Sequence, residues 1–223
     1  MLAPATPTSV CFYPDLFYNL ASSENPAKIM SSPPPFKTLT VLGPPLSGKT
    51  TMIGCLVSKL NGLDLHTMAR FQAEGINTTA QAVKALKAQG ERMEFETRCG
   101  KLMFLDNDTT TKADCAILVL AVDQELSDAD FEEYTAAAKT AASDVVVLVN
   151  KMDICDWSEA RFRAVVERLG EVKNISVLPF SALEGSDVVE LSSRCRCEGW
   201  QSKGRIGTTL LETLEASFKT RLR

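Results

Sequence analysis

The sequence predicts an α/β fold with a mostly parallel β-sheet and helices on both faces. Short apolar runs rich in Val, Ile and Leu alternate along the chain with segments of helical periodicity. Most of the runs end at Gly, Asp or Asn, as strands do where the chain turns. Because ligands in such sheets bind at the carboxyl ends of the strands, we expect any binding site at that edge.

The elements follow in order from these patterns. We expect strands at 38–42, 93–97, 102–105, 115–122, 145–149 and 175–180, with 93–97 exposed or at an edge of the sheet. We expect helices at 50–60, 128–142, 158–169 and 208–222, and a mostly helical region at 63–90 that is broken at 75–77.

Composition bounds the class of protein. The 223 residues suit one α/β domain, and 45% hydrophobic content is ordinary for a globular core. The formal net charge of -4 and the lack of a basic run argue against DNA binding through a charged surface. No run of 18 apolar residues occurs, so we expect no membrane span.

The chain divides by composition into a leader at 1–36, rich in Pro, Ser, Ala and Asn, and a domain at 37–223. The leader is predicted to be disordered, although its aromatic residues can dock on the domain or translation can start at Met30. It lacks Lys or Arg before Lys28, unlike a signal peptide. Seven cysteines, an odd count, favour reduced thiols and a cytoplasmic protein; a zinc site at Cys155, Cys195 and Cys197 is the disfavoured alternative.

The segment from Gly43 to Thr50 fits the P-loop pattern G-x-x-x-x-G-K-[ST] between a predicted strand and a predicted helix. Backbone N–H groups of such a loop face phosphate, Lys49 reaches the outer phosphates, and the Thr50 hydroxyl can ligate Mg²⁺. The candidate phosphate-binding residues are Gly43, Leu46, Ser47, Gly48, Lys49, Thr50 and Thr51.

Two further motifs follow later strands and indicate a guanine base. In Asn150-Lys151-Met152-Asp153, the Asp153 carboxylate can accept both N–H groups of guanine that adenine lacks. Lys151 can lie along the base, and Asn150 can tie this loop to the P-loop. We expect Ser181, Ala182 and Leu183 to supply backbone donors to the guanine oxygen.

With these motifs, the chain resembles the G domain of the translational GTPases, most nearly that of eukaryotic elongation factor 1-alpha. The likeness covers about 37–218, in segments that stand in family order: 62–71, 113–119, 157–162, 177–181, 199–200 and 207–212. It includes neither of the β-barrel domains of the full factor. The resemblance implies binding of GTP or GDP with Mg²⁺, and Asp106 as a second residue of the metal site, the alternative for Asp106 being a turn residue at the end of its strand.

The chain departs from that family at both switch regions. Asp106-Asn107-Asp108-Thr109 keeps the first Asp of the family's Asp-x-x-Gly but lacks its Gly, and the water-positioning His has no counterpart. Switch I is shortened, although 75–79 is a candidate substitute, and Leu46 replaces a family aspartate. No residue is therefore assigned as catalytic.

Several residues have ordinary structural interpretations. Asp108 and Asp114 are interpreted as turn or cap residues, Trp157 and Trp200 as packing residues, and His66 as a surface residue.

Two functions remain open on the sequence. One is a GTP-binding protein with weak or partner-stimulated hydrolysis, and its alternative is a pseudo-GTPase that acts as an interaction module. An ATP-dependent kinase is disfavoured by Asp153. A protein partner or translation component is possible, whereas the missing β-barrels argue against tRNA binding.

Overall fold

The computed structural model describes residues 37–60, 63–97, 100–105, 112–169, 175–185, 188 and 210–219. The chain divides into two units, Met1–Pro34 and Pro35–Arg223, and the described residues all lie in the second. The predicted leader, 1–36, lies outside the described residues, as do Asp106, Asp108, Cys195, Cys197 and Trp200.

A six-stranded sheet forms the centre of the described domain. Its strands are β1 (Lys37–Leu42), β2 (Glu94–Thr97), β3 (Gly100–Phe104), β4 (Cys115–Ala121), β5 (Asp144–Asn150) and β6 (Ile175–Pro179). They lie in the order β2-β3-β1-β4-β5-β6, and every neighbouring pair is parallel except β2 with β3. The predicted α/β class with a mostly parallel sheet is confirmed, and 93–97 does lie at an edge.

Within the described residues, six α-helices connect or follow the strands. They are α1 (Lys49–Lys59), α2 (Leu65–Ala73), α3 (Thr79–Ala88), α4 (Asp128–Ala141), α5 (Glu159–Leu169) and α6 (Leu210–Lys219). The predicted break at 75–77 separates α2 from α3, because Gly75 adopts a φ of 76° that helical residues avoid. None of the helices within the described ranges has the length and apolarity required for a membrane span.

Two buried hydrophobic clusters flank the sheet. One joins strand residues to side chains of α1, α3 and α6, such as Leu56, Val83 and Leu214. The other joins strand residues to α4 and α5 through Phe131 and Phe162. Strands β4 and β5 carry apolar residues towards both clusters, which is why their sequences are continuously hydrophobic instead of alternating. The expectation of helices on both faces is therefore confirmed.

The segment 75–79 and the residue Asp114, both singled out in the sequence, have structural roles. Thr78, in the candidate switch substitute 75–79, caps α3 by accepting the Gln81 N–H, and the Gln81 side chain accepts the Thr78 N–H in return. Asp114, interpreted as a turn or cap residue, lies at a bend directly before β4. Its Oδ2 accepts bonds of 2.9 Å from both the N–H and the hydroxyl of Thr38, and thereby fastens the start of β4 to β1.

Candidate functional site

The three predicted motifs lie at the carboxyl ends of β1, β5 and β6. The P-loop follows β1, Asn150 ends β5, and Ser181 follows β6, while a fourth loop follows β4 between them. All four strands are parallel, so their carboxyl ends lie side by side. The structure thus brings together at one edge the three motifs that the sequence predicted to act as one site.

The P-loop packs so tightly that two of its positions exclude a side chain. Gly43 has a φ of 137°, and a Cβ there would lie 2.2 Å from the Val119 carbonyl oxygen. Gly48 has a φ of 92°, and its Cβ would lie 2.3 Å from Nδ2 of Asn150. Both glycines are therefore required by backbone conformation and by close approach, before any ligand is considered.

Lys49 begins α1 and folds its side chain back over the loop. Its Nζ donates to the carbonyl oxygens of Gly43, at 2.8 Å, and Pro44, at 2.6 Å. Burial lowers the pKa of the Lys49 ammonium from its ordinary value. An ammonium has three N–H donors, so one remains beyond these two bonds for an anion in the loop.

Asn150 links the P-loop to the loop after β6. Its Nδ2 donates to the Ser47 carbonyl at 2.8 Å, and its Oδ1 accepts from the Ala182 N–H at 2.9 Å. Only 2% of Asn150 is exposed, so both bonds are shielded from water. The structure contains the hydrogen bond from Asn150 to the P-loop that the sequence predicted. It also contains a hydrogen bond between Asn150 and Ala182, in the loop after β6.

The segment carrying Asp153 is a 3-10 helix, Met152–Cys155, entered through Lys151 in a left-handed conformation with a φ of 64°. Its anchor is Met152, which is fully buried and donates its N–H to Phe180 O at 3.1 Å. Trp157, also buried, donates its backbone N–H to Met152 O at 2.9 Å. The buried anchor leaves the Asp153 side chain partly exposed at the edge of the sheet.

Both the side chain and the backbone of Ser181 make hydrogen bonds within the loop after β6. The Ser181 hydroxyl accepts the Glu184 N–H at 3.2 Å, and the Ser181 carbonyl accepts the Gly185 N–H at 2.9 Å. Because the Ala182 N–H donates to Asn150, a guanine oxygen would share that N–H or use the N–H of Leu183. The contacts of these residues with a nucleotide stay predictions.

The P-loop contains hydrogen-bond donors that suit phosphate and a hydroxyl oxygen that suits Mg²⁺. The Ser47 hydroxyl is fully buried and has no hydrogen-bond partner, and the partly buried Thr50 is the second residue of α1. Within the described part of the chain, no three His, Cys, Asp or Glu side chains form a group suited to a metal. The Thr50 hydroxyl oxygen is a suitable ligand for Mg²⁺, which usually takes one or two protein ligands plus phosphate oxygens. Asp106, the second predicted ligand, lies outside the described residues.

Residues 89–93 make a short, hydrogen-bonded connection from α3 to β2. Glu91 donates its N–H to Leu86 O, and Met93 O accepts the N–H of Phe104, each at 3.0 Å. Five residues span at most about 18 Å even when extended.

His66 lies exposed on α2.

The sequence interpretation missed the loop after β4. Asp123 accepts a bond of 3.0 Å from Nζ of Lys151, and Gln124 donates from Nε2 to Pro45 O at 3.4 Å. The available signal was position alone, since both residues directly follow a buried strand.

A family model described as the elongation factor Tu GTP binding domain matches residues 35–219. The chain is 30% identical over 226 residues to elongation factor 1-alpha of Sordaria macrospora, and 29% identical over 222 residues to that of Aureobasidium pullulans. Each match covers 80% of this chain but 48% of the relative, so the chain spans about half the length of these curated relatives. These matches confirm the resemblance inferred from the motifs.

Solved structures share the fold. Sup35 complexed with GMPPNP is 25% identical with a TM-score of 0.59, and the match covers 81% of this chain and 44% of that chain. The S. cerevisiae Ski7 GTPase-like domain, bound to GTP, is 18% identical with a TM-score of 0.62, covering 86% of this chain and 51% of that chain. At 18% identity, the Ski7 likeness shows the fold alone.

Proposed function

Because the chain belongs to the family of elongation factor Tu GTP-binding domains, which matches residues 35–219, we propose that it binds GTP and GDP at the edge of the sheet described above. The observation that carries this proposal is the buried Asn150 side chain, which bonds both Ser47 and Ala182. Through it the phosphate loop, the Asp153 loop and the loop after β6 form one unit. Sup35, which has the same fold, was solved with GMPPNP bound.

The phosphates would bind to the P-loop backbone, with Lys49 supplying positive charge. The N-terminus of α1 directs further N–H groups and the positive end of its dipole to the same place. A nearby anion favours the charged form of a lysine, so phosphate would offset the desolvation of Lys49. Mg²⁺, when bound, neutralises phosphate charge; Thr50 would ligate it, with Asp106 as a second proposed residue.

The base would be selected by Asp153. A carboxylate accepts hydrogen bonds and cannot donate them, so it suits the N–H face of guanine and has no matching pair on adenine. Its position next to the buried Met152 supports this role, because a rigid backbone fixes where the carboxylate lies.

We propose that hydrolysis is weak or depends on a partner. The motif at 106–109 lacks the family's Gly, and the sole histidine, His66, is exposed on α2. Loss of a water-orienting group or charge-stabilising donor costs about 10²- to 10⁴-fold in rate. Intrinsic rates of small GTPases are already on the order of 10⁻⁴ s⁻¹.

The second candidate is a pseudo-GTPase, a regulatory or scaffold module that binds nucleotide without switching. The short connection at 89–93 favours it, because its backbone hydrogen bonds to α3 and β3 restrain the region where the sequence predicts a shortened switch I. In either case we propose a cytoplasmic protein with a protein or translation-component partner.

The base preference can be tested by calorimetric titration with GDP, GTP and ATP in the presence of Mg²⁺. We expect guanine nucleotides to bind much more tightly than ATP. Asp153→Asn should shift preference towards xanthine nucleotides, because an amide can donate to the xanthine oxygen where the carboxylate cannot. Equal affinity for ATP and GTP in the wild type would refute guanine selection.

The two candidates differ in hydrolysis and in sensing of the γ-phosphate. Single-turnover hydrolysis at or above the rate of ordinary intrinsic GTPases would exclude the pseudo-GTPase. Equal affinities for GDP and GTP would mean that no γ-phosphate sensor operates, as the pseudo-GTPase candidate predicts.

A further inference from the structure

The loop that follows β4 lies between the phosphate and base segments of the site. Strand β4 stands between β1 and β5, so its carboxyl end is flanked by the P-loop on one side and by Asn150 on the other. We propose that Asp123 and Gln124 in this loop are positioning residues for guanine nucleotide. This inference rests on the function proposed above and assigns two residues to it that none of the three motifs contains.

Asp123 fixes the head of Lys151. The Oδ2 atom lies 3.0 Å from Nζ, and the two side chains are 37% and 31% exposed. A free lysine samples many rotamers, and ordering it on binding costs conformational entropy. Because Asp123 already holds the ammonium, the stem of Lys151 is oriented before a base arrives and less entropy is lost when it binds.

Gln124 acts on the other side of the same loop. Its Nε2 donates to Pro45 O, and its backbone N–H donates to Ala121 O at 3.2 Å. Its Oε1 is buried without a hydrogen-bond partner. Pro45 immediately precedes Leu46, which has a left-handed φ of 62°. Gln124 therefore supports the carbonyl next to the strained residue of the phosphate loop.

The site consequently has two cross-links between its phosphate and base segments. Asn150 makes the buried one, and the adjacent pair Asp123 and Gln124 makes a more exposed one through Lys151 and Pro45. Both residues of the second link follow the same strand end, that of β4.

The test measures GDP affinity by calorimetry for the wild type, Asp123→Asn, Lys151→Met and the double variant. We expect Asp123→Asn to weaken GDP binding about 1.5-fold to fivefold, the range that corresponds to the strength of exposed ion pairs. In the Lys151→Met background the same change should have no effect, since Asp123 acts through Lys151. Asp123→Glu, which keeps a carboxylate, should retain most of the affinity.

A matched control is Asp128→Asn. Asp128 accepts a bond of 2.9 Å from Arg168 at the start of α4, so this variant breaks an exposed ion pair that involves neither the P-loop nor Lys151. We expect unchanged GDP affinity. The effect of Asp123→Asn should also shrink at about 1 M salt, where charges are screened beyond about 3 Å.

The outcomes separate this inference from the function on which it rests. A wild type that binds no GDP overturns both. A wild type that binds GDP while Asp123→Asn binds equally well or more tightly overturns only the role of Asp123. An equal loss with and without Lys151 also overturns it, because the effect would then be a general one on the fold.

Discussion

The substitution Asn150→Asp isolates the buried link between the nucleotide-binding loops. It preserves shape and preserves an acceptor for the Ala182 N–H, but it removes the Nδ2 donor that bonds Ser47 O at 2.8 Å. The Ser47 carbonyl would then face a carboxylate at a position that is 2% exposed. We expect a loss of stability and weaker binding of guanine nucleotide.

The expected loss of stability has two contributions. An unsatisfied buried carbonyl costs about 1–3 kcal/mol, and a buried charge without a partner brings the total to about 3–5 kcal/mol. For a domain of this size, each kcal/mol lowers Tm by about 2–4 °C, so Tm should fall by about 10 °C. Burial favours the neutral carboxyl, whose O–H can donate to Ser47 O. The deficit should therefore grow as pH rises from 5 to 8.

Thermal and urea unfolding followed by circular dichroism measure this deficit. Asn77→Asp is the matched control, because the Asn77 Nδ2 also donates to a carbonyl, that of Gly75, but in an exposed turn. We expect a change below about 0.5 kcal/mol there. A deficit for Asn150→Asp below about 1 kcal/mol at pH 7, or one that is independent of pH, would refute the reasoning.

Two other predictions concern stability. Leu46 is 88% exposed with a φ of 62°, so Leu46→Gly should relieve strain and raise the free energy of unfolding by about 0.5–1 kcal/mol in denaturant titration. Leu183 is 81% exposed and lies outside the left-handed region, so Leu183→Gly should instead lower the free energy of unfolding. Equal changes in that free energy for the two variants would contradict backbone strain at Leu46. Burial raises the pKa of the Cys55 thiol from 9.0 to about 11, against a smaller opposing effect of Lys59. Because the pKa of this thiol is higher in the folded state, the protonated thiol contributes to the free energy of unfolding below pH 9. That contribution, about 2–3 kcal/mol in all, is lost as pH rises to 11. Cys55→Ala should flatten this decline in urea unfolding, and identical slopes for Cys55→Ala and wild type would disprove the assignment.

Element type and order were predictable because they depend on short-range patterns. The continuous apolar runs at 115–121 and 145–149 identified buried parallel strands, and the turn residues Gly75 and Asn77 marked the break between α2 and α3. The glycine and lysine of the P-loop were readable for the same reason, since the loop is one continuous segment of eight residues.

The sequence by itself determined the α/β class, the family and the three motifs of the site. Only the tertiary structure decided which side chains meet: Asn150 contacts Ser47 across 103 positions of sequence, and Asp114 contacts Thr38 across 76. The role of Asp123 likewise depends on β4 lying between β1 and β5. The physical reason is that periodicity and turn chemistry act over a few residues, whereas strand order sets the contacts between loops.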